Sequence, residues 1–196
     1  MSNYYEFDGG HFSVSESSNK LDSIVFTVLD AGESSSAECE TEALRIASQY
    51  INIDDYKLSV TSDEFNHGFQ FVRYINGVET GARFSVIMST TGKLHGMNYT
   101  MIDELEECIK DKGLSQIEAT ASLFSSKSSE SLVQKTIDDN YDNNAGYSIP
   151  NGILIVSTDG QLGMYYEVKI DLAPVKDGEY LMQSSAIAQV IVTQTS

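Results

Sequence analysis

Positive charge is scarce in this chain of 196 residues: Lys and Arg number 12 against 29 Asp and Glu, a formal net charge of −17 at pH 7. Such a surplus repels phosphate backbones and anionic lipid headgroups, which makes nucleic acid and bare membrane poor partners. A basic protein, a cell-wall polycation or a divalent cation would be attracted, although acidity also serves solubility alone. Long apolar runs are missing as well. Stretches such as Ile153–Val156 and Val190–Val192 fall far short of the about 18 residues that cross a bilayer, so no direct membrane insertion is expected. The opening Met1-Ser2-Asn3-Tyr4-Tyr5 has neither a basic nor an apolar signal region, so any export signal or anchor is expected to lie outside this chain.

Cysteine is limited to Cys39 and Cys108, both in stretches that look helical and without the close spacing of a zinc or thioredoxin-like site. Two buried, unpaired thiols are the expectation, with a disulfide closing a long loop in an exported protein as the alternative. The three histidines, His11, His67 and His95, lack the one-turn spacing of an HExxH zinc motif and read as surface or strand residues. Gly146-Tyr147-Ser148-Ile149-Pro150 is the nearest approach to a nucleophile elbow. It puts Pro150 where the second glycine belongs and precedes a strand rather than a helix. Asp138 to Asn144 alternates oxygen ligands as a calcium loop does, but Asn143 and Ile149 stand where the glycine and the bidentate glutamate are required. A solvated helix end is expected there, with little calcium binding. No catalytic residue, cofactor-binding residue or metal ligand is assigned, and the chain is read as a non-enzyme.

What is present is a clear pattern of elements. Asn76-Gly77 sits between Phe69–Ile75 and an apolar run through Phe84–Met88, and Asn-Gly between alternating apolar residues marks a type I′ hairpin. Ser35 and Glu38 offer a capping box, after which Ala43, Ile46, Ala47, Tyr50 and Ile51 share one helical face. Tyr56, Leu58 and Val60 then alternate, followed by strands over Phe69–Ile75, Thr80–Met88 and Leu94–Met101. A second series starts with Ser115 and Glu118 as another capping box ahead of Ala119, Leu123 and Phe124. Ser128–Tyr141 continues with Leu132, Val133, Thr136 and Ile137 on one face. Ile153–Val156 and Met164–Leu172 flank Asp159-Gly160, and a last strand is expected within Tyr180–Val192. An extra hairpin, Phe12–Ser15 with Leu21–Leu29, precedes all this, and Gly32–Ala37 and Phe124–Glu130 read as connectors. The turns Ser89-Thr90-Thr91-Gly92-Lys93-Leu94 and Ser157-Thr158-Asp159-Gly160-Gln161-Leu162 run parallel, by duplication or because hairpins reuse such residues.

The expected fold is therefore α+β, with helices packed on antiparallel β-meander sheets. Its parts are residues 1–101, a hairpin plus helix and sheet, and residues 102–196, helices plus sheet. They form two tandem units or one compact domain. Arg73, a cation in a half-buried strand, binds a partner or pairs with Glu79 or an acid of a neighbouring strand. Tyr74, Tyr99, Tyr165 and Tyr166 suit either a core or a binding surface.

Glu42-Ala43-Leu44, Phe71-Val72-Arg73-Tyr74-Ile75-Asn76-Gly77-Val78 and Ser85-Val86-Ile87 leading to Thr91-Gly92 together resemble the PepSY-type and related propeptide domains of secreted bacterial metallopeptidases. The YcdB/YcdC-like repeat proteins of spore-forming bacteria look similar. Ser115–Ala119, Leu154–Gly160 and Leu162–Val168 form a looser second match. The resemblance implies a PepSY/cystatin-like fold and an extracellular or cell-surface protein of a Gram-positive bacterium. It further implies a protein partner, a peptidase or an envelope component, that the module binds or restrains, or else a structural ectodomain of a cell-surface lipoprotein. It supplies no catalytic residues and no cofactor.

Overall fold

The computed structural model describes residues 2–16, 19–27, 32–125, 127–177, 180–182 and 184–193. Two compact units make up the chain: Met1–Tyr74 with Thr80–Glu106, and Ile75–Glu79 with Glu107–Ser196. The class is α+β. The described residues hold four α-helices and strands whose described registers are antiparallel.

In the first unit, β1 (Ser2–Phe7), β2 (Gly10–Ser15) and β3 (Leu21–Phe26) precede α1 (Ser36–Ala47) and a 3-10 turn at Ile53–Asp55. Then come β4 (Tyr56–Ser62), β5 (Asn66–Ile75), β6 (Val78–Ser89) and β7 (Leu94–Thr100). Their order in the sheet is β1-β2-β3-β7-β6-β5-β4. Helix α1 begins where the sequence says it should. Ser35 accepts from the Glu38 N–H at 3.4 Å and Glu38 returns a bond to the Ser35 N–H at 2.9 Å. Two otherwise orphan donors are thereby satisfied. The helix buries Cys39, Ala43, Ile46 and Ala47 against Phe69 and Phe71 of β5, Phe84, Val86 and Met88 of β6 and Met97 of β7. Each phenylalanine removed from water in this way contributes about 1.5–3 kcal/mol.

The Asn76-Gly77 turn joins β5 to β6 in two residues, with φ of +49° and +78°, the left-handed pair that a type I′ turn demands. The Gly92 and Gly160 turns are built alike. Ser89 N–H donates to Lys93 O at 2.8 Å and Gly92 N–H to Ser89 O at 2.9 Å. Ser157 N–H donates to Gln161 O at 2.9 Å and Gly160 N–H to Ser157 O at 2.8 Å. Past the turns, Leu94, Gly96 and Met97 oppose Met88, Ile87 and Val86, while Leu162, Gly163 and Met164 oppose Val156, Ile155 and Leu154. His95 is the one extra residue, taken up as a bulge.

α2 (Ile102–Lys112), whose residues up to Glu106 belong to the first unit, leads in the second to α3 (Leu114–Phe124) and α4 (Lys127–Asn140), with β8 (Asn144–Tyr147) and β9 (Ile153–Val156) next. They are followed by β10 (Leu162–Leu172), the short pair β11 (Val175–Asp177) and β12 (Tyr180–Met182), and β13 (Ser185–Thr193). β10 is central, with β8 and β9 on one side and β13 on the other. Helices α3 and α4 lie on β10 and β13. Tyr166 of β10 donates its hydroxyl to Phe124 O at 3.2 Å, which fixes the inward row as Met164, Tyr166, Val168 and Ile170.

Several sequence expectations need correction. Ser115 is no cap: α3 starts at Leu114, two residues earlier than that cap would set it, with Gly113 as N-cap at φ +83° and no side-chain bond. The buried face of α3 is Ile117, Thr120, Ala121 and Phe124, leaving Ala119 and Leu123 outside it, and that of α4 includes Val133 and Ile137, leaving Leu132 and Thr136 exposed. Tyr50 lies beyond the end of α1 and is 48% exposed, its ring edge-on to Tyr99. The N-terminal hairpin is a three-stranded meander, because β1 precedes it; Ser17, Ser18, Val28 and Leu29 lie outside the described residues. The connector expected at Phe124–Glu130 is mostly helix, and the last strand is divided into β12 and β13.

Candidate functional site: an aromatic sheet edge

Cross-strand partners in a sheet share a face, so the registers of β1, β2, β3 and β7 place Tyr5, Phe12, Ile24 and Met97 in one row. Phe7, Gly10 and Phe26 form the next. This is the same face that α1 covers further along the sheet, but here the described residues leave it open. Tyr5 is 47% and Phe7 38% exposed. The rings hold one another in place: Tyr5 stacks on Phe12 at 5.0 Å and Phe7 meets Phe26 edge-on at 5.9 Å. Gly10 makes the second contact feasible, since a Cβ there would stand 2.7 Å from the Phe7 ring and 2.2 Å from Val25 O. On the opposite face Tyr4 lies beside His11 at 5.0 Å.

β1 pairs only with β2 among the described residues, so its other backbone edge offers N–H and C=O groups to an added strand. Glu6 lies in β1 and Asp8 in the turn to β2, Asp22 of β3 accepts from the Ser2 hydroxyl, and Lys20 is engaged with Asp103 at 2.7 Å. An apolar, aromatic row bordered by carboxylates suits an extended segment that alternates apolar and basic side chains.

Apart from His11 of β2, the residues singled out from sequence are placed elsewhere. His67 is nearly buried in β5; in the neutral ring Nε2–H donates to Ser34 O at 3.0 Å and Nδ1 accepts from Ser62 Oγ at 2.9 Å. That ring ties the β4–β5 hairpin to the segment before α1. His95 donates from Nδ1 to Asn66 Oδ1 at 2.6 Å. Beside the hairpin lies a hollow of about 370 Å³ lined by Ser62, Asp63, Asn66 and Gln70. The Asp63 carboxyl is held below its ordinary range by the N–H groups of Phe65 and Asn66. No group of three or more His, Cys, Asp or Glu positioned for a metal occurs among the described residues. Asp138–Asn140 form the last turn of α4, and Asp138 accepts from the Tyr147 hydroxyl at 2.9 Å. Gly146 and Tyr147 end β8, and Ser148–Pro150 lead on toward β9.

Arg73 is nearly buried and pairs with Glu106 of α2 and, at 3.9 Å, with Asp55. Burial raises the Tyr56 phenol beneath it, with the Arg73 charge acting in the opposite sense. Tyr74 lies under Lys57 Nζ at 3.8 Å, Tyr99 packs on Phe84 at 4.8 Å, Tyr165 donates to Glu167 at 3.0 Å and Tyr166 is core. Cys39 and Cys108 are both buried free thiols. The aromatic edge was missed in the sequence because Tyr4-Tyr5 breaks the two-residue alternation; the available signal was that Tyr4, Tyr5, Phe7, Phe12 and Phe26 crowd the first 26 positions. No helix among the described residues is long and apolar enough to cross a membrane. Comparison with known proteins finds no matching family model, curated protein or solved structure.

Proposed function

We propose that this chain is a non-enzymatic, exported interaction module of the PepSY type that binds a protein partner, a peptidase foremost, by accepting a strand of it along β1. The observation that carries this reading is the open edge of β1 backed by the exposed rings of Tyr5 and Phe7. Main-chain pairing supplies affinity in such a mode, and alternate side chains supply selectivity. The PepSY/cystatin-like assignment is supported by helices set against antiparallel sheets, α1 in the first unit and α3 with α4 in the second. An acidic rim favours a partner segment carrying Lys or Arg.

A panel of secreted metallopeptidases preincubated with about 10 μM protein provides the test. The expected outcome is slowed peptide hydrolysis by at least one enzyme, relieved about tenfold or more in the Tyr5→Ser/Phe7→Ser double variant, whose substituted side chains are already partly exposed. A panel left at its uninhibited rates would remove the peptidase reading.

A further inference from the structure

Strand β13 is the other terminal strand whose edge stands out. Its nine residues, Ser-Ala-Ile-Ala-Gln-Val-Ile-Val-Thr, contain no charge, no proline and no glycine, and β10 is its only strand partner among the described residues. Natural sheet edges are normally protected by a charge, a proline or a bulge. β4, a terminal strand of the first unit, follows that rule with Lys57. β13 does not, in a chain whose net charge is −17. Its inward row, Ala188, Val190 and Val192, is buried, whereas Ile187 is 62% and Ile191 58% exposed on the outward row. The outward row continues across the sheet as Ile191, Tyr165 and Ile153.

We propose that two copies of this chain pair edge to edge through β13 as an antiparallel, two-fold symmetric dimer centred on Gln189. The sequence of the strand is self-complementary about that residue. Antiparallel pairing centred there sets Ile187 opposite Ile191 of the second copy, Ala188 opposite Val190 and Ala186 opposite Val192, so apolar meets apolar on both faces. Charge selects the occupant. A basic partner finds no carboxylate on β13, an acidic one is repelled by the rest of the molecule, and two strongly acidic copies meet with least repulsion at an uncharged strand. Gln189 is exposed and lies beside Glu167 of β10, so changing it disturbs no core contact.

Sedimentation of the full chain at up to about 200 μM, in about 20 mM and about 500 mM salt, tests the proposal. The mass is expected to rise from 21.6 kDa toward twice that value, more readily in high salt, where the mutual repulsion is screened. Gln189→Glu and Gln189→Lys each place like charges face to face at the two-fold axis, and each is expected to weaken the dimer about tenfold or more. Mixing the two variants restores it by setting Glu against Lys. Melting curves verify that both remain folded, and Ile187→Lys on the same exposed row repeats the test should either fail. A wild-type chain that stays monomeric in high salt, variants that dimerise as well as the wild type, or growth past the dimer would each overturn the proposal.

Discussion

Arg73 shows how a single residue can carry a cost that depends on which side of a pair is buried. Its guanidinium is almost wholly enclosed, while the carboxylates of Glu106 and Asp55 remain about half exposed. Removing Glu106 therefore strands a buried charge, whereas removing Arg73 only returns a carboxylate to water. Glu106→Gln is expected to destabilise by about 1–3 kcal/mol. Arg73→Met, which keeps most of the side-chain volume over Tyr56, is expected to cost under about 1 kcal/mol. Urea unfolding of the two variants decides it, and the reverse order would mean that Arg73 acts mainly by packing. The residue was legible in the sequence as a cation needing an acid, but Glu106 lies 33 positions away on a helix, and a strand-centred reading has no means of finding it.

Among the elements, what could be read was local. The Asn76-Gly77 hairpin and the Ser35–Glu38 cap are set by residues within a few positions of one another, and both have the expected geometry. Face assignment in α3 and α4 was harder, since Ala119, Leu123 and Leu132 are apolar at positions compatible with more than one stripe. Only the placement of β10 and β13 beneath the helices decides between them. β1 was hidden because its aromatics do not alternate, and the aromatic site went with it. The paired serine-glycine turns allow a direct comparison. Gly92 and Gly160 sit at φ +77° and +76°, where any other residue costs about 1–2 kcal/mol. Gly92→Ala and Gly160→Ala should both destabilise in that range by thermal melting. Gly92→Ala should cost more, because its added Cβ would approach Ser34 Oγ at 3.0 Å while Gly160 has nothing within 4 Å. Equal losses would show that the Ser34 segment yields.

Across the whole molecule, charge outweighs every other compositional feature. At a formal −17 the folded chain repels itself at neutral pH, so salt should raise the melting temperature at about pH 8 and do less near the pI of about 4.3. Acid acts in two opposed ways. Glu38, bonded to the Ser35 N–H and hydroxyl, and Asp63, bonded to two backbone N–H groups, both have carboxyls held low. A lowered folded pKa means that their stabilisation is present above the unfolded value of about 4 and is lost as pH falls through the folded one. Stability is therefore expected to rise as pH falls from about 6 to about 4.5, where exposed carboxylates begin to protonate and repulsion eases, and to fall below about pH 4 as these bonds are protonated away. A melting series across that range checks the sign of both slopes, and a flat profile would mean that surface charge is already balanced locally. The two thiols add something different. Cys39 of the first unit and Cys108 of the second are 2% and 5% exposed, and burial pushes both thiols up, away from the reactive thiolate. A thiol reagent can reach each only when its own helix lifts away, so the chain carries two internal clocks, one timing the opening of α1 and the other that of α2, with no cysteine introduced.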